Sequence, residues 1–362
     1  MPMMTAGNYQ PLITTNGMFI IDEIIDRKGK IHQNVAGGGG MFAMLGGCIV
    51  SPNRRVAGSL RWIVDCGYDF PKILKERIES WQSGVVFRED LTRETTRGWN
   101  GYGDDDLRQF KYLNEKRSIT AADWREFGMD NILKIECVHL ICSGERCSSL
   151  IKQMKGLECY PKVIVWEPVP DLCDKAHFAD ISGILQLQDD YTVIFSPNAE
   201  EGARLLGDKE PFTVEEVVQC IWKFDKILSD RHVCVLRCGR LGSVMLTSRD
   251  NDTGKRTLKR FPAYHEDDIS KVIDPTGGGN AFLGGFCVGY TATANLDLAN
   301  ICGHIAAGCV IEQMGVPEFN PATREWNGLT LVQRLDRYLK RNPSLVLHKS
   351  DQICRLLSNR WE

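Results

Sequence analysis

An α/β fold, with a mostly parallel central sheet covered by helices on both faces, is what this sequence predicts. Three observations predict it. From about residue 132 onward, short apolar, β-branched runs alternate with helical segments, and strands joined through helices return parallel to one another. Hydrophobic residues make up 43% of the chain and charged residues 25%, the balance of a soluble globular protein rather than a disordered one. The 362 residues show no internal repeat and no low-complexity tract, so length allows one large α/β domain or two ordinary ones.

Taken in order, "LITTNGMFIIDEI" reads as one apolar core strand ending in acids, and "NVAGGGGMFAMLGG" as a glycine-rich turn entering an apolar helix. From 53 to 130 the chain turns polar and aromatic, with little helical periodicity, as an insertion or lid would. The regular alternation then begins. "CVHLICS", "KVIVWEP", "YTVIFSPN", "HVCVLRCG" and "GSVML" are strands, with "ERCSSLIKQM", "AEEGARLL" and "TVEEVVQCIWKFDKIL" as helices between them. Thr213 and Glu216 give the last of these helices a capping-box start. "VIDPTGGGNAFLGGF" reads as a buried strand (Val272, Ile273), a glycine turn and the start of a helix. The helix in "DLANICGHIAAGCVIEQMG" carries small residues that allow close packing, and 331–362 reads as a helical tail.

Charge and cysteine usage narrow the function. A net charge of −3 with interspersed signs argues against nucleic-acid binding through bulk positive potential. No apolar run approaches the roughly 18–20 residues that span a bilayer, so no membrane partner is expected. "MPMMTAGNYQPL" lacks the pattern of a secretory signal. Cys137, Cys142, Cys234, Cys287, Cys302 and Cys309 lie in apolar segments, and no CxxC pair occurs. They read as core thiols in a reducing compartment, with the cytoplasm expected, rather than as metal ligands.

In a parallel α/β sheet, ligands gather at the carboxyl ends of strands. Four segments place polar residues there: "NGMFIID" with Asp22, "SPNAEEG" with Asn198 and Glu201, "LRCGRLG" with Arg237, Gly239 and Gly242, and "DPTGGGN". Gly277, Gly278 and Gly279 let backbone N–H groups approach an anion, and the following helix adds its positive end. Each has a plainer reading. The glycine turn can be mere flexibility, Asn198 and Glu201 can simply cap their helix, Asp22 can be a turn residue, and the spacing of Gly239 and Gly242 alone carries no signal.

Together and in this order, the segments resemble the ribokinase/PfkB family of carbohydrate kinases. The family's D-T-x-G-A-G-D-x-F pattern stands here as Asp274, Pro275, Thr276, Gly277, Gly278, Gly279, Asn280, Ala281 and Phe282. Its N-x-x-E matches Asn198 and Glu201, its N-terminal G-x-x-x-x-D matches Gly17 and Asp22, and its double-glycine signature matches Gly37 and Gly38. Within the family, "TTRGWNGYG", "VWEPVPD" and "DPTGGGNAFLGG" look most like the fungal branch that includes a maintenance-of-killer protein.

The resemblance implies a ribokinase-like three-layer αβα domain over 12–330, with a small lid at about 85–113 within the 53–130 region. It implies ATP with Mg2+ as cofactors, and phosphotransfer to a hydroxyl of a small sugar-like substrate. Gly277, Gly278 and Gly279 would form the anion hole, with Asn198, Glu201, Arg237, Gly239, Gly242 and Thr276 on the nucleotide side and Glu201 nearest the metal. Asp22, Gly37, Gly38 and Arg97 would face the substrate. "AAGCVIEQMGVPEF" would line the adenine side, and a homodimer would form through the lid.

Two departures stand out. Met41 and Phe42 occupy the side where the family continues to a sugar-contacting asparagine. Asn280 stands where the family carries its catalytic base. A carboxamide can orient a hydroxyl but cannot usefully take its proton, and losing a general base costs about 10²–10⁴-fold. Positioning and charge neutralisation dominate phosphoryl transfer, so slow transfer survives such a loss. Asp274 points elsewhere by its spacing, and Asp104 to Asp106 in the lid offer another carboxylate. Two readings stay open: a slow kinase, or a pseudokinase acting as ligand sensor or scaffold.

Overall fold

The computed structural model describes residues 10–25, 29–102, 108–345 and 348–362. The strands of the two larger sheets, in chain order, are β1 (Leu12–Thr15), β2 (Ile20–Ile25), β3 (Ile31–Gly37), β4 (Leu60–Gly67), β5 (Gly84–Asp90), β6 (Arg97–Tyr102), β7 (Arg108–Tyr112), β8 (Ile135–Ile141), β9 (Val163–Glu167), β10 (Thr192–Phe195), β11 (Val233–Arg237), β12 (Ser243–Leu246) and β13 (Leu258–Phe261). Nine of them form one sheet in the order β13-β12-β11-β10-β9-β8-β1-β4-β5. It is parallel from β11 through β5, and β12 and β13 close one edge antiparallel.

Alternate residues of each central strand enter two separate cores. Val163 and Val165 of β9, and Val233 and Val235 of β11, join one apolar cluster. Ile164 and Trp166, and Cys234 and Leu236, join the other. The period-two alternation of side chains in a strand therefore puts a helical layer on each face, giving the three-layer αβα arrangement. The first core is roofed by helices Gly39–Ile49, Gly278–Thr293 and Leu296–Val310. The second is roofed by helices that include Gly144–Gly156 and Val214–Lys223. Thr213 and Glu216 do form the expected capping box.

Small residues set how closely the first roof packs. A Cβ on Gly284 would lie 1.6 Å from the Ala43 carbonyl oxygen, and one on Gly46 would lie 2.1 Å from that of Ala281. The two helices therefore cross backbone to backbone, and their N-termini emerge side by side.

Four strands form a second, smaller sheet, β3-β2-β6-β7. It takes its strands from two distant parts of the chain, with β2 parallel to β6. The apolar run read as one N-terminal strand is thus two strands in two sheets. It breaks at Asn16–Gly17, where Asn16 accepts from the Ile141 N–H at 2.8 Å and the Gly17 N–H donates to the Thr15 hydroxyl at 2.9 Å. The 53–130 region is likewise not all insertion. β4 and β5 belong to the main sheet, so residues 85–90 of the expected lid are an edge strand, and the small sheet supplies the lid-like layer. Residues 103–107, which include Asp104 to Asp106, lie outside the described residues.

The segment 331–362 folds as helices Leu331–Arg341 and Ser350–Ser358, and Leu335, Tyr338, Ile353, Leu357 and Trp361 are buried in the first core. The Trp361 indole donates to the Pro11 carbonyl at 3.0 Å, the Gln10 amide donates to the Trp361 carbonyl at 3.1 Å, and Arg360 pairs with buried Glu136 at 2.8 Å. All fourteen cysteines are free thiols. Among the described residues, no helix is long and apolar enough to cross a membrane.

Candidate active site

The expected strand at Val272–Ile273 is instead an irregular segment after a short turn at Ile269–Lys271, with Ile273 exposed. The Ile273 N–H donates to the Ile311 carbonyl at 2.9 Å, which seats the segment against the loop that follows helix Leu296–Val310. Asp274 accepts from the Thr276 N–H at 3.0 Å and from its hydroxyl at 2.6 Å. That bracing engages Asp274 Oδ1 and the Thr276 hydroxyl. Gly277 then adopts φ 75°, in the left-handed region, as N-cap of helix Gly278–Thr293. No side chain caps this helix, so its first turn is served by backbone alone.

Each glycine of the turn lies against a different neighbour. Cβ atoms at 277, 278 and 279 would stand 2.4 Å from the Phe42 ring, 2.7 Å from Ile311 and 2.3 Å from the Arg237 guanidinium respectively. Phe42 and Met41 are buried core residues, and the Phe42 ring underlies the turn at Gly277.

Arg237, at the end of β11, is the hub beneath. One guanidinium nitrogen lies 2.8 Å from Glu167 Oε1 and 3.6 Å from Glu201 Oε2, and donates to the Ser196 carbonyl at 3.1 Å. Gly239 and Gly242 flank the single 3-10 turn that follows, and Gly242 has φ 84°.

Asn198 and Glu201 form a reciprocal capping box for helix Ala199–Leu206. The Asn198 N–H donates to Glu201 at 2.7 Å, and the Glu201 N–H donates back to Asn198 at 2.7 Å. The plainer reading of this pair therefore holds, and the box also fixes a buried carboxylate beside Arg237. Burial pushes the Glu201 carboxyl up to about 7, with Arg237 pulling it down and Glu167 adding repulsion. Between pH 4.5 and 7 the folded chain holds a proton that the unfolded chain has released, so stability falls as pH rises through that window. The expected loss is about 2–3 kcal/mol. Glu201→Gln, which keeps an acceptor for the capping box, is expected to abolish that fall, as urea midpoints at pH 5 and pH 8 will show.

Glu167, at the end of β9, was not among the residues singled out from the sequence, and it sits at the centre of the site. Its Oε2 accepts from the Asn280 amide at 2.7 Å, and it is only 6% exposed. Behind it, His139 Nε2 lies 3.6 Å away, while His139 Nδ1 is 3.0 Å from the Thr15 hydroxyl. That hydroxyl also accepts from Gly17 N–H. Burial raises the Glu167 carboxyl, but the charge of Arg237, the neighbouring His139 and the hydrogen bond from Asn280 outweigh it and hold it below its ordinary value. It is therefore ionised at neutral pH. The rule that polar groups at strand ends meet ligands, applied to "VWEP", would have found it.

The substrate-side residues separate. Asp22 lies mid-strand in β2, buried, with Gly37 on one side and Gly98 on the other. Cβ atoms there would stand 2.0 Å and 2.7 Å from its carboxylate oxygens. Gly38, at φ 99°, turns β3 into helix Gly39–Ile49, and a Cβ on Gly39 would lie 3.2 Å from the Asn280 amide nitrogen. The double glycine thus joins the small sheet to Asn280. Arg97 does not join them: its guanidinium bonds Asp69 at 2.8 Å and Asn34 at 3.3 Å. Among the described residues, no group of three or more His, Cys, Asp or Glu side chains is arranged to hold a metal. A cavity of about 1500 Å³ opens beyond Ile273 and Gln313, and Asn280, Glu167, Arg237 and Asp22 are not among its lining residues.

Comparison with known proteins follows the same lines. Residues 169–323 match the pfkB family carbohydrate kinase signature. Protein MAK32 of Saccharomyces cerevisiae is 48% identical over 339 residues, 91% of this chain and 93% of that one. An uncharacterized Schizosaccharomyces pombe protein is 33% identical over 354 residues, 94% and 95% of the two chains. Among solved structures, the ribokinase of Giardia lamblia superposes with a TM-score of 0.64 at 16% identity, over 92% of this chain and 99% of that one. The Cryptococcus neoformans ribokinase in complex with ADP gives 0.59 at 18% identity, over 84% and 95%.

Proposed function

The chain belongs to the pfkB family of carbohydrate kinases, in the branch of Protein MAK32, and from that premise we propose that it transfers the γ-phosphoryl group of ATP to a hydroxyl of a sugar-like small molecule. The observation that carries the reading is the uncapped helix start at Gly277–Asn280, with Arg237 directly beneath Gly279. An N-terminal turn without a side-chain cap, backed by a fixed cation, suits a polyphosphate. Glu201 would meet Mg2+ on the phosphates through water, since Mg2+ keeps several waters and needs one or two carboxylates rather than a protein cage. Asp22 and the Gly37–Gly38 turn would hold the acceptor's hydroxyls, and Gly239, Gly242 and Thr276 would shape the nucleotide side. The exposed rings of Phe110 and Tyr112 on the small sheet support a second copy of the chain as the lid's partner. Fourteen free thiols support a cytoplasmic setting.

One observation favours a second reading, a ligand sensor or scaffold without transfer: the carboxamide of Asn280 at the position of the family's base. Calorimetry with MgATP, followed by ATP consumption over a panel of sugars, polyols and nucleosides, separates the two. Binding with turnover is expected. Binding without turnover on any acceptor would support the second reading, and no binding would remove both.

A further inference from the structure

The contact between Asn280 and Glu167 has a chemical consequence that rests on the phosphotransfer reading. An ionised carboxylate only accepts hydrogen bonds, so the Asn280 amide must present its NH2 group to Glu167 and turn Oδ1 away. Each Glu167 oxygen has one identified donor, Asn280 on Oε2 and Arg237 on Oε1, and a carboxylate oxygen accommodates two. A carboxylate therefore lies within one hydrogen bond of the side chain at 280, with acceptor capacity left.

We propose that Glu167 and Asn280 are an exchanged acid–amide pair, in which Glu167 on strand β9 is the proton acceptor that the family carries on the helix. In the step, the acceptor's hydroxyl oxygen forms a bond to the γ phosphorus. The bond from that phosphorus to the β,γ-bridging oxygen breaks, and its electron pair leaves on ADP. The hydroxyl proton passes to Glu167 Oε2, which later returns it to water. Asn280, through its NH2 group, holds Glu167 Oε2 in place for that transfer.

The other described carboxylates nearby are engaged differently. Asp274 braces Thr276 at 2.6 Å, and Glu201, 3.6 Å from the Arg237 nitrogen that also meets Glu167, is tied into the Asn198 box. The exchange also accounts for the amide. An aspartate at 280 would set two carboxylates about one hydrogen bond apart, and such a pair cannot both ionise without a large rise in one of them. With Glu167 in place, position 280 must be neutral. Asn280 is the matching half of the pair rather than a lesion.

Turnover with MgATP and the acceptor panel, with melting temperature and ATP affinity alongside, tests this in the full chain and in E167Q, N280D and the double variant. E167Q is expected to lose about 10²-fold or more in turnover while ATP affinity changes by less than about threefold. N280D alone is expected to lose about tenfold or more. Combining the two, which returns a single carboxylate to the site on the helix, is expected to recover about tenfold over E167Q, a rescue that a purely structural role for Glu167 would not give. Turnover that survives E167Q, or a gain from N280D alone, overturns the assignment and leaves the kinase reading standing. If the chain and all three variants bind ATP but turn over no acceptor, both fall together. Should E167Q fail to fold, N280D decides: a loss supports the exchange and a gain overturns it.

Discussion

Arg237→Met is expected to destabilise the protein by about 3–5 kcal/mol at pH 8, the cost of leaving buried carboxylates without their cation. The side chain is 11% exposed and lies between Glu167 at 2.8 Å and Glu201 at 3.6 Å. Methionine keeps most of the stem's volume, so the effect isolates the charge. Without the guanidinium, both carboxyls rise and take up protons as pH falls. The penalty should therefore be smaller at pH 5 than at pH 8, and urea titrations at the two values measure the difference. Because the guanidinium also underlies Gly279, MgATP affinity is expected to fall about tenfold or more, as loss of one charge-assisted contact implies.

Gly277→Ala is the second large effect. At φ 75° an L-residue costs about 1–2 kcal/mol. Its Cβ would also stand 2.4 Å from the buried Phe42 ring, and overpacking of that kind adds about 1–3 kcal/mol. Gly239→Ala is the internal control. Gly239 is also left-handed, at φ 52°, but a Cβ there meets nothing within 4 Å. The chemical-denaturation midpoint should drop clearly more for Gly277→Ala than for Gly239→Ala, because only the former adds a clash with a buried ring.

The parallel sheet was legible because its strands are short apolar runs set between helical segments, and that signal survives any tertiary detail. The Asn198–Glu201 box was legible too, because capping is a local matter of three-residue spacing. What failed were the places where local pattern is silent. β5 carries polar residues because it is an edge strand of intermediate burial. An apolar run shared by two sheets looks like one strand until the side chain of Asn16 is seen bonded to β8. The resemblance turned Arg97 toward a substrate, but its guanidinium is bonded to Asp69, 28 positions away. Glu167 and Asn280 are 113 positions apart, and nothing in either segment marks the other as its partner.

The bond between Pro11 and Trp361 spans 350 positions, and it has a consequence for biogenesis. β1 lies inside the nine-stranded sheet, flanked by β8 and β4, yet the indole that meets the residue before it is made some three hundred and fifty residues later. During translation the earliest strand must wait, first for β4 and β8 and finally for Trp361. Contacts this distant in sequence slow folding, because the loop must close before the contact rewards it. An emerging chain therefore carries an incomplete apolar layer for most of its synthesis, which is the situation in which chaperones engage nascent polypeptides.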